Sequence, residues 1–198
     1  MCIRDSYSED SIGSDPLPPG QVWIMSPGGG DENPGLYRVD ITEGPGSGAR
    51  ILNQPAPPAF KESVRCAEQN LYVRAKELVG DRDPRQHEFS IQLRAFDSAK
   101  SGTGVGVGVL LALCSSLLQK SIKGGLMVTG SLNLGGSIET IHNPVSAVEI
   151  AIEKGANSIL MPIASRRQLN DLPDDLAAKI VILYYLDARD ALLKALLE

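Results

Sequence analysis

Two hydroxyls, Ser101 and Thr103, lie in a glycine-rich stretch with Lys100 immediately before them. A hydroxyl attacks a carbonyl once an amine or imidazole takes its proton, so Lys100 and the more distant His142 are the residues that could act as acceptors. The competing reading of Ser101 and Thr103 is structural, because hydroxyls just before a helix usually cap its free amides. His142 precedes Asn143 and Pro144 and reads as a turn residue. The glycines at 102, 104, 106 and 108 invite a second chemistry, since amides of a glycine run at a helix start can bind an anion. No Lys-Ser or Lys-Thr pair follows the run, and no acidic partner stands about twenty residues further on. Close helix packing accounts for these glycines better. His87 opens a strand and carries no assigned role. Two histidines far apart, and cysteines at 2, 66 and 114 without a CxxC spacing, predict no metal set.

Apolar periodicity locates the elements that hold these residues. QVWIMS (21–26) is a short apolar strand, LYRVDITEG (36–44) alternates as a half-buried strand does, and residues 49–52 form a weaker one. Phe60, Val64, Ala67, Leu71, Ala75 and Leu78 recur at three- and four-residue spacing and predict one amphipathic helix over 59–79, stopped by Gly80. HEFSIQLRAF (87–96) alternates again as a strand. Residues 105–118 are apolar nearly all round and predict a helix buried on most faces. Residues 125–141 read as a β-hairpin turning near 133–136. Asn143 then caps a helix with Pro144 at its first position, Val145, Val148 and Ile152 as its inner stripe, and Gly155 beyond its end. Strands at 158–162 and 179–185, a short helix and turn between them, and a last helix capped by Asp187 complete the order.

Composition narrows the class. A chain of 198 residues with 42% hydrophobic and 22% charged residues fits one soluble globular domain. Residues 1–19, polar and ending in LPPG, read as a flexible or non-native lead-in, and residues 20–198 as the domain. The net charge of −5 argues against a general nucleic-acid binder, which would normally show a basic face. No apolar run reaches the roughly 18 residues that a membrane span needs. The unpaired cysteines fit a reducing, cytoplasmic setting. The mixed order of strands and helices predicts an α+β fold in layers.

Several stretches together resemble the proteolytic domain of the Lon proteases. EFSIQLRAFDSAKSGTGVG (88–106) is similar to the Lon stretch ending in PKDGPSAG, with Lys100 on its lysine, Gly102 on its first glycine and Gly106 on its last. FKESVRCAEQNLYVRAKELVG (60–80) resembles the family's first long helix, with its "ES" near the start. VTGSLNLGGSI (128–138) is similar to the MTGE…LRG hairpin, and EKGANSILMPIASRRQLNDLP (153–173) to GGIKTVLIP…DLEEIP. The resemblance covers residues 20–198 and implies the layered fold of the ribosomal-S5 domain-2-like kind. Details such as LYRVDIT, LALCSSLL and YLDARDALLKALLE resemble the Lon-related branch found in BREX phage-defence systems.

The same resemblance places the family's catalytic serine at Gly104, which has no hydroxyl. The family's lysine turn falls on Val145, Ser146 and Ala147, so neither lysine position keeps an amine, and the hairpin glutamate becomes Ser131. Both halves of a Ser–Lys dyad are then missing, with Ala147 and Gly104 the vacated positions and Ser101, Thr103, Lys100 and His142 the remaining stand-ins. The resemblance further implies an AAA+ ATPase upstream, since this chain has no GxxxxGK[ST] motif. ATP and magnesium would belong to that ATPase, with no cofactor in this domain. It also implies a homo-oligomeric ring with other defence proteins as possible partners. Three readings follow. One is a domain without proteolysis that serves assembly or docking; another is an ATP-dependent peptidase with a relocated nucleophile. The third is an anion-binding protein using the glycine loop.

Overall fold

Every long strand found by alternation pairs into one sheet. The computed structural model describes residues 12–27, 34–53, 55–95 and 102–197. Gln21–Ser26 (β1) pairs antiparallel with Gly35–Pro45 (β2), which pairs antiparallel with His87–Ala95 (β4). Gly48–Ile51 (β3) runs parallel to β4 at one edge. On the other side of β1, Leu126–Val128 (β5), Ser158–Pro162 (β8) and Val181–Tyr185 (β9) follow in parallel, giving the order β3-β4-β2-β1-β5-β8-β9.

The two-residue period of a strand sends alternate side chains to opposite faces. On one face Val22, Ile24, Val39, Ile41, Phe89 and Ile91 join a core closed by helices Pro58–Val73 (α1), Gly106–Leu118 (α3) and Ala188–Ala195 (α6). On the other, Trp23, Met25, Met127, Ile159 and Met161 pack with Pro144–Glu153 (α4). Helices therefore cover both faces around β5 and β8. The corresponding face of β2 and β4 carries Arg38, Asp40 and Gln92 instead, with the Arg38 guanidinium 5.4 Å from the Trp23 ring centre and 2.9 Å from Asp40.

Helix α3 is the hub. All residues from Gly106 to Leu117 are buried, as an all-round apolar sequence demands. Gly108 permits this: a Cβ there would lie 2.4 Å from Ile24 Cδ1, so the helix meets β1 only where no side chain intervenes. The glycine spacing is thus a packing device at this position, as expected.

Four expectations need correction. The helix over 59–79 is two, because Arg74 leaves helical geometry (φ −110, ψ 19) and Ala75–Val79 (α2) restarts beyond it. Asn70 and Arg74 turn towards a neighbouring loop there, and that tertiary contact overrides the continuous period. The single hairpin over 125–141 is divided: β5 belongs to the main sheet, while Ser131–Leu132 (β6) and Ile138–Glu139 (β7) form a separate two-stranded ribbon. The chain leaves the sheet after Thr129, whose carbonyl accepts the buried Tyr185 hydroxyl at 2.8 Å. The buried stripe of α4 is Pro144, Ala147, Val148 and Ala151, with Val145 and Ile152 only half-buried. Finally, residues 12–19 are not loose. Ile12 is buried against the α4 side and its amide donates to the Lys154 carbonyl at 2.7 Å. The polar and proline-rich composition concealed two apolar anchors, Ile12 and Leu17. Residues 1–11 lie outside the described residues.

Candidate functional site

The start of α3 is tied to distant elements, through the Tyr37 and Ser26 hydroxyls and the Gly130 carbonyl. The N-cap position is Val105, whose own side chain makes no capping hydrogen bond. The buried Gly102 amide instead donates to the Tyr37 hydroxyl at 3.1 Å, and the Val107 amide to the Gly130 carbonyl at 3.4 Å. These two amides are engaged within the protein and are not presented to an anion. Ser26 donates its hydroxyl to the Thr103 carbonyl at 2.6 Å and ties β1 to the same turn.

Gly104 lies in the left-handed region at φ +68. A Cβ at this position would start 3.0 Å from both Cδ and Cγ of Pro27. Two features therefore favour glycine here, the backbone angle and the proline packed against it.

Thr103 and Gly104 form part of the wall of a cavity of about 420 Å³ between α1 and the β6–β7 ribbon. Helix α1 contributes Ala59, Glu62, Ser63 and Cys66, and the ribbon side contributes Ser131, Leu132 and Glu139. Exposed His142 lines the same cavity, so Thr103 and His142, far apart in the chain, share one cleft. Lys100 and Ser101 lie outside the described residues. Ala147 is fully buried on the inner face of α4, while Asn143, in the left-handed region at φ 54, accepts from the Ser146 amide at 3.3 Å and caps that helix as its type predicts.

Burial, then the negative charges of Glu62 and Glu139, raise the Cys66 thiol above its ordinary range. The fully buried Cys114 thiol is pushed up to about 12 by burial alone. Neither is an activated nucleophile, since activation lowers a thiol's pKa. Among the described residues no group of three or more His, Cys, Asp or Glu gathers as a metal set. None of the described helices is long and apolar enough to cross a membrane.

Residues 34–198 match the model of the Lon protease (S16) C-terminal proteolytic domain. The chain belongs to the Lon proteolytic-domain family. The match begins after β1, yet β1 sits between β2 and β5 in this Lon-type sheet. The chain is 26% identical to the Lon-like protease BrxL of Escherichia coli O9:H4 (strain HS) over 82% of its own length and 24% of that protein. It is 26% identical to the BrxL of Bacillus cereus (strain H3081.97) over 69% of its length and 20% of that protein. Against Lon protease 1 of Bdellovibrio bacteriovorus the identity is 26% over 95% of the chain and 23% of the relative. The Lon-type chain thus spans about a quarter or less of the length of these relatives.

The cleft also contains residues to which the sequence reading gave no role in a site. Ala59, Glu62, Ser63 and Cys66 stand at i, i+3, i+4 and i+7, which sets them on one face of α1. That spacing was readable, with Glu62 and Ser63 forming the "ES" of the Lon helix. Their meeting with Glu139, on a ribbon more than seventy residues later, was not.

Proposed function

We propose that this Lon-type domain does not cleave peptides by serine–lysine chemistry and serves in ring assembly or partner docking of a longer ATP-dependent, Lon-related protein of the BREX phage-defence type. The observation that carries this reading is Gly104. The position aligned with the family's serine has no hydroxyl, lies at φ +68 and is packed against Pro27. At the aligned lysine positions, half-buried Val145 and fully buried Ala147 supply no amine. Nucleophile and proton acceptor are both missing from the aligned positions, so the dyad's first step has neither partner. The two BrxL relatives support the defence branch, and the fraction of them that the chain spans supports a longer whole. In that whole, ATP and magnesium would act at the ATPase, and the domain's acidic balance of −5 supports a role without direct nucleic-acid contact in the cytoplasm.

The test is to incubate the domain, and the full-length protein with ATP and magnesium, with unfolded casein. Fragment production should not exceed that of a Thr103→Ala, Ser101→Ala control, while the full-length protein should sediment as a ring-sized oligomer. A second reading has one observation in its favour: Thr103 and His142 line the same cleft. Under it, Thr103 would be a relocated nucleophile and His142 its base. Casein cleavage that disappears with Thr103→Ala alone would establish that reading and end the first.

A further inference from the structure

The segment ahead of β1 is pinned at its two ends and exposed along most of its middle. At one end the Gly20 amide donates to the Ser115 hydroxyl of α3 at 3.0 Å, and its carbonyl accepts from the Ile41 amide of β2 at 2.8 Å. Gly20 lies at φ +90, and a Cβ there would stand 2.0 Å from the Ile41 carbonyl oxygen. At the other end Ile12 is buried, and its amide donates at 2.7 Å to the carbonyl of Lys154, the last residue of the α4 turn. Residues 13–16 and 18 are exposed and Leu17 is half-buried. Among the described residues no backbone hydrogen bond joins residues 13–17 to the body. Two glycines let the strap lie close. A Cβ at Gly124 would stand 2.1 Å from the Ser14 carbonyl oxygen, and one at Gly155 3.3 Å from that of Ile12. The strap is thus held by Ile12, by part of Leu17 and by one backbone hydrogen bond. Ordering a segment costs conformational entropy at every residue, so a segment with so few contacts belongs to the low end of local stability.

We propose that residues 12–17 are a reversible latch on the end of α4, and that its docking sets the position of the other end of that helix, beside the cleft. Ile12 belongs to one packed cluster with Ala151, Val148, Ala147 and Ile141. Ile141 precedes His142, which lines the cleft. The ten residues of α4 span about 15 Å as one stiff element, so a shift at Lys154 is carried towards residue 142. With the strap docked, the apolar row along α4 is complete and the Lys154 carbonyl has its donor. With the strap withdrawn, the row ends at Ala151 and that carbonyl turns to water. Pro16, Pro18 and Pro19 fix φ and stiffen the stem, so the strap swings about Gly20 rather than unravelling. Whatever binds or pulls the chain ahead of residue 12 acts on the domain through this strap. The latch operates whether or not the cleft cleaves peptides, and it does not depend on what the domain docks.

Hydrogen exchange and NMR on the full chain provide the test. In the parent, the amide at position 12 should exchange at least about a hundredfold faster than that of Leu111 in α3, yet more slowly than in an open chain. Two variants attack the latch from opposite sides. Gly124→Ala places a Cβ against the strap backbone, and Ile12→Asp puts a charge into an apolar site. Each should bring the position-12 amide to the open-chain rate while lowering the thermal midpoint by only a few degrees. Both should also move the imidazole signal of His142 and leave that of His87, at the start of β4, in place. Exchange at position 12 as slow as at Leu111 would overturn the proposal, because the strap would then open only with the whole domain. Collapse of the fold in both variants would overturn it for the same reason. A released strap with an unmoved His142 signal would end the coupling between the two ends of α4, and with it the proposal.

Discussion

The start of α3 is tied to distant strands and loops, whereas the first turn of α4 is closed by one local side chain at the surface. At α3 the neighbouring groups come from distant strands and loops: the Tyr37 hydroxyl takes the Gly102 amide, the Gly130 carbonyl takes the Val107 amide, and Ser26 holds the Thr103 carbonyl. At α4 the contact is local, with exposed Asn143 accepting from the Ser146 amide and Pro144 at the first helical position. On the reading proposed above, the first turn carries the family's serine position and the second its lysine. The chain has thus built two kinds of replacement. One is held by contacts from distant elements beside an open cleft, and the other has its proposed lysine position, Ala147, in the core. On the same reading, placing a serine and a lysine at these positions would require changes around them as well.

Ala147→Lys should give the largest effect. Residue 147 is fully buried, so an ammonium there must lose its hydration or break the packing between α4 and the sheet. A loss of at least about 3 kcal/mol in urea unfolding is expected. Val145→Lys provides the contrast, because half-buried Val145 lies off the buried stripe and a lysine can extend its head to water. Its cost should stay below about 1 kcal/mol. Equal costs at the two positions would mean that the inner face of α4 has been drawn wrongly.

Gly104→Ser comes next and tests the α3 side. A residue with a Cβ at φ +68 carries strain of about 1–3 kcal/mol, and Pro27 at 3.0 Å adds crowding. Gly104→Ala should cost as much as Gly104→Ser, since both introduce the same Cβ. The serine variant should remain inactive on casein, having a hydroxyl but no amine. A serine variant far more stable than the alanine variant would show that its hydroxyl finds a partner in the cleft.

How much of this was legible depends on the range of the contacts. The alternation in 36–44 and 87–96, the apolar α3 and the Asn143-Pro144 start are local signals, and each produced the expected element. Arg74 ended α1 for a reason outside the helix: its Nη2 is 3.5 Å from the Gly135 carbonyl, while Asn70 donates to the Asn133 carbonyl. No periodicity records a bond between residues sixty positions apart. The same holds for the division at Thr129 and for Ile12 docking on the end of α4. In the cleft, the α1 face was readable from spacing, but Glu139 opposite Glu62 required the fold. Gly104 is intermediate: its missing hydroxyl is plain in the sequence, while its positive φ and the proline against it are not.

The smallest effect concerns Asn143, and it separates two reasons for having asparagine there. The residue accepts from the Ser146 amide, and it also adopts φ 54, which side chains other than glycine and asparagine avoid. Asn143→Ala loses both advantages and should cost about 1 kcal/mol or somewhat more. Asn143→Gly loses the acceptor but gains freedom in the left-handed region, so only a few tenths should be lost. A glycine variant as unstable as alanine would put the whole weight on the hydrogen bond. A glycine variant as stable as the parent would put it on the backbone conformation, and the α4 start would then share with Gly104 a reliance on positive φ.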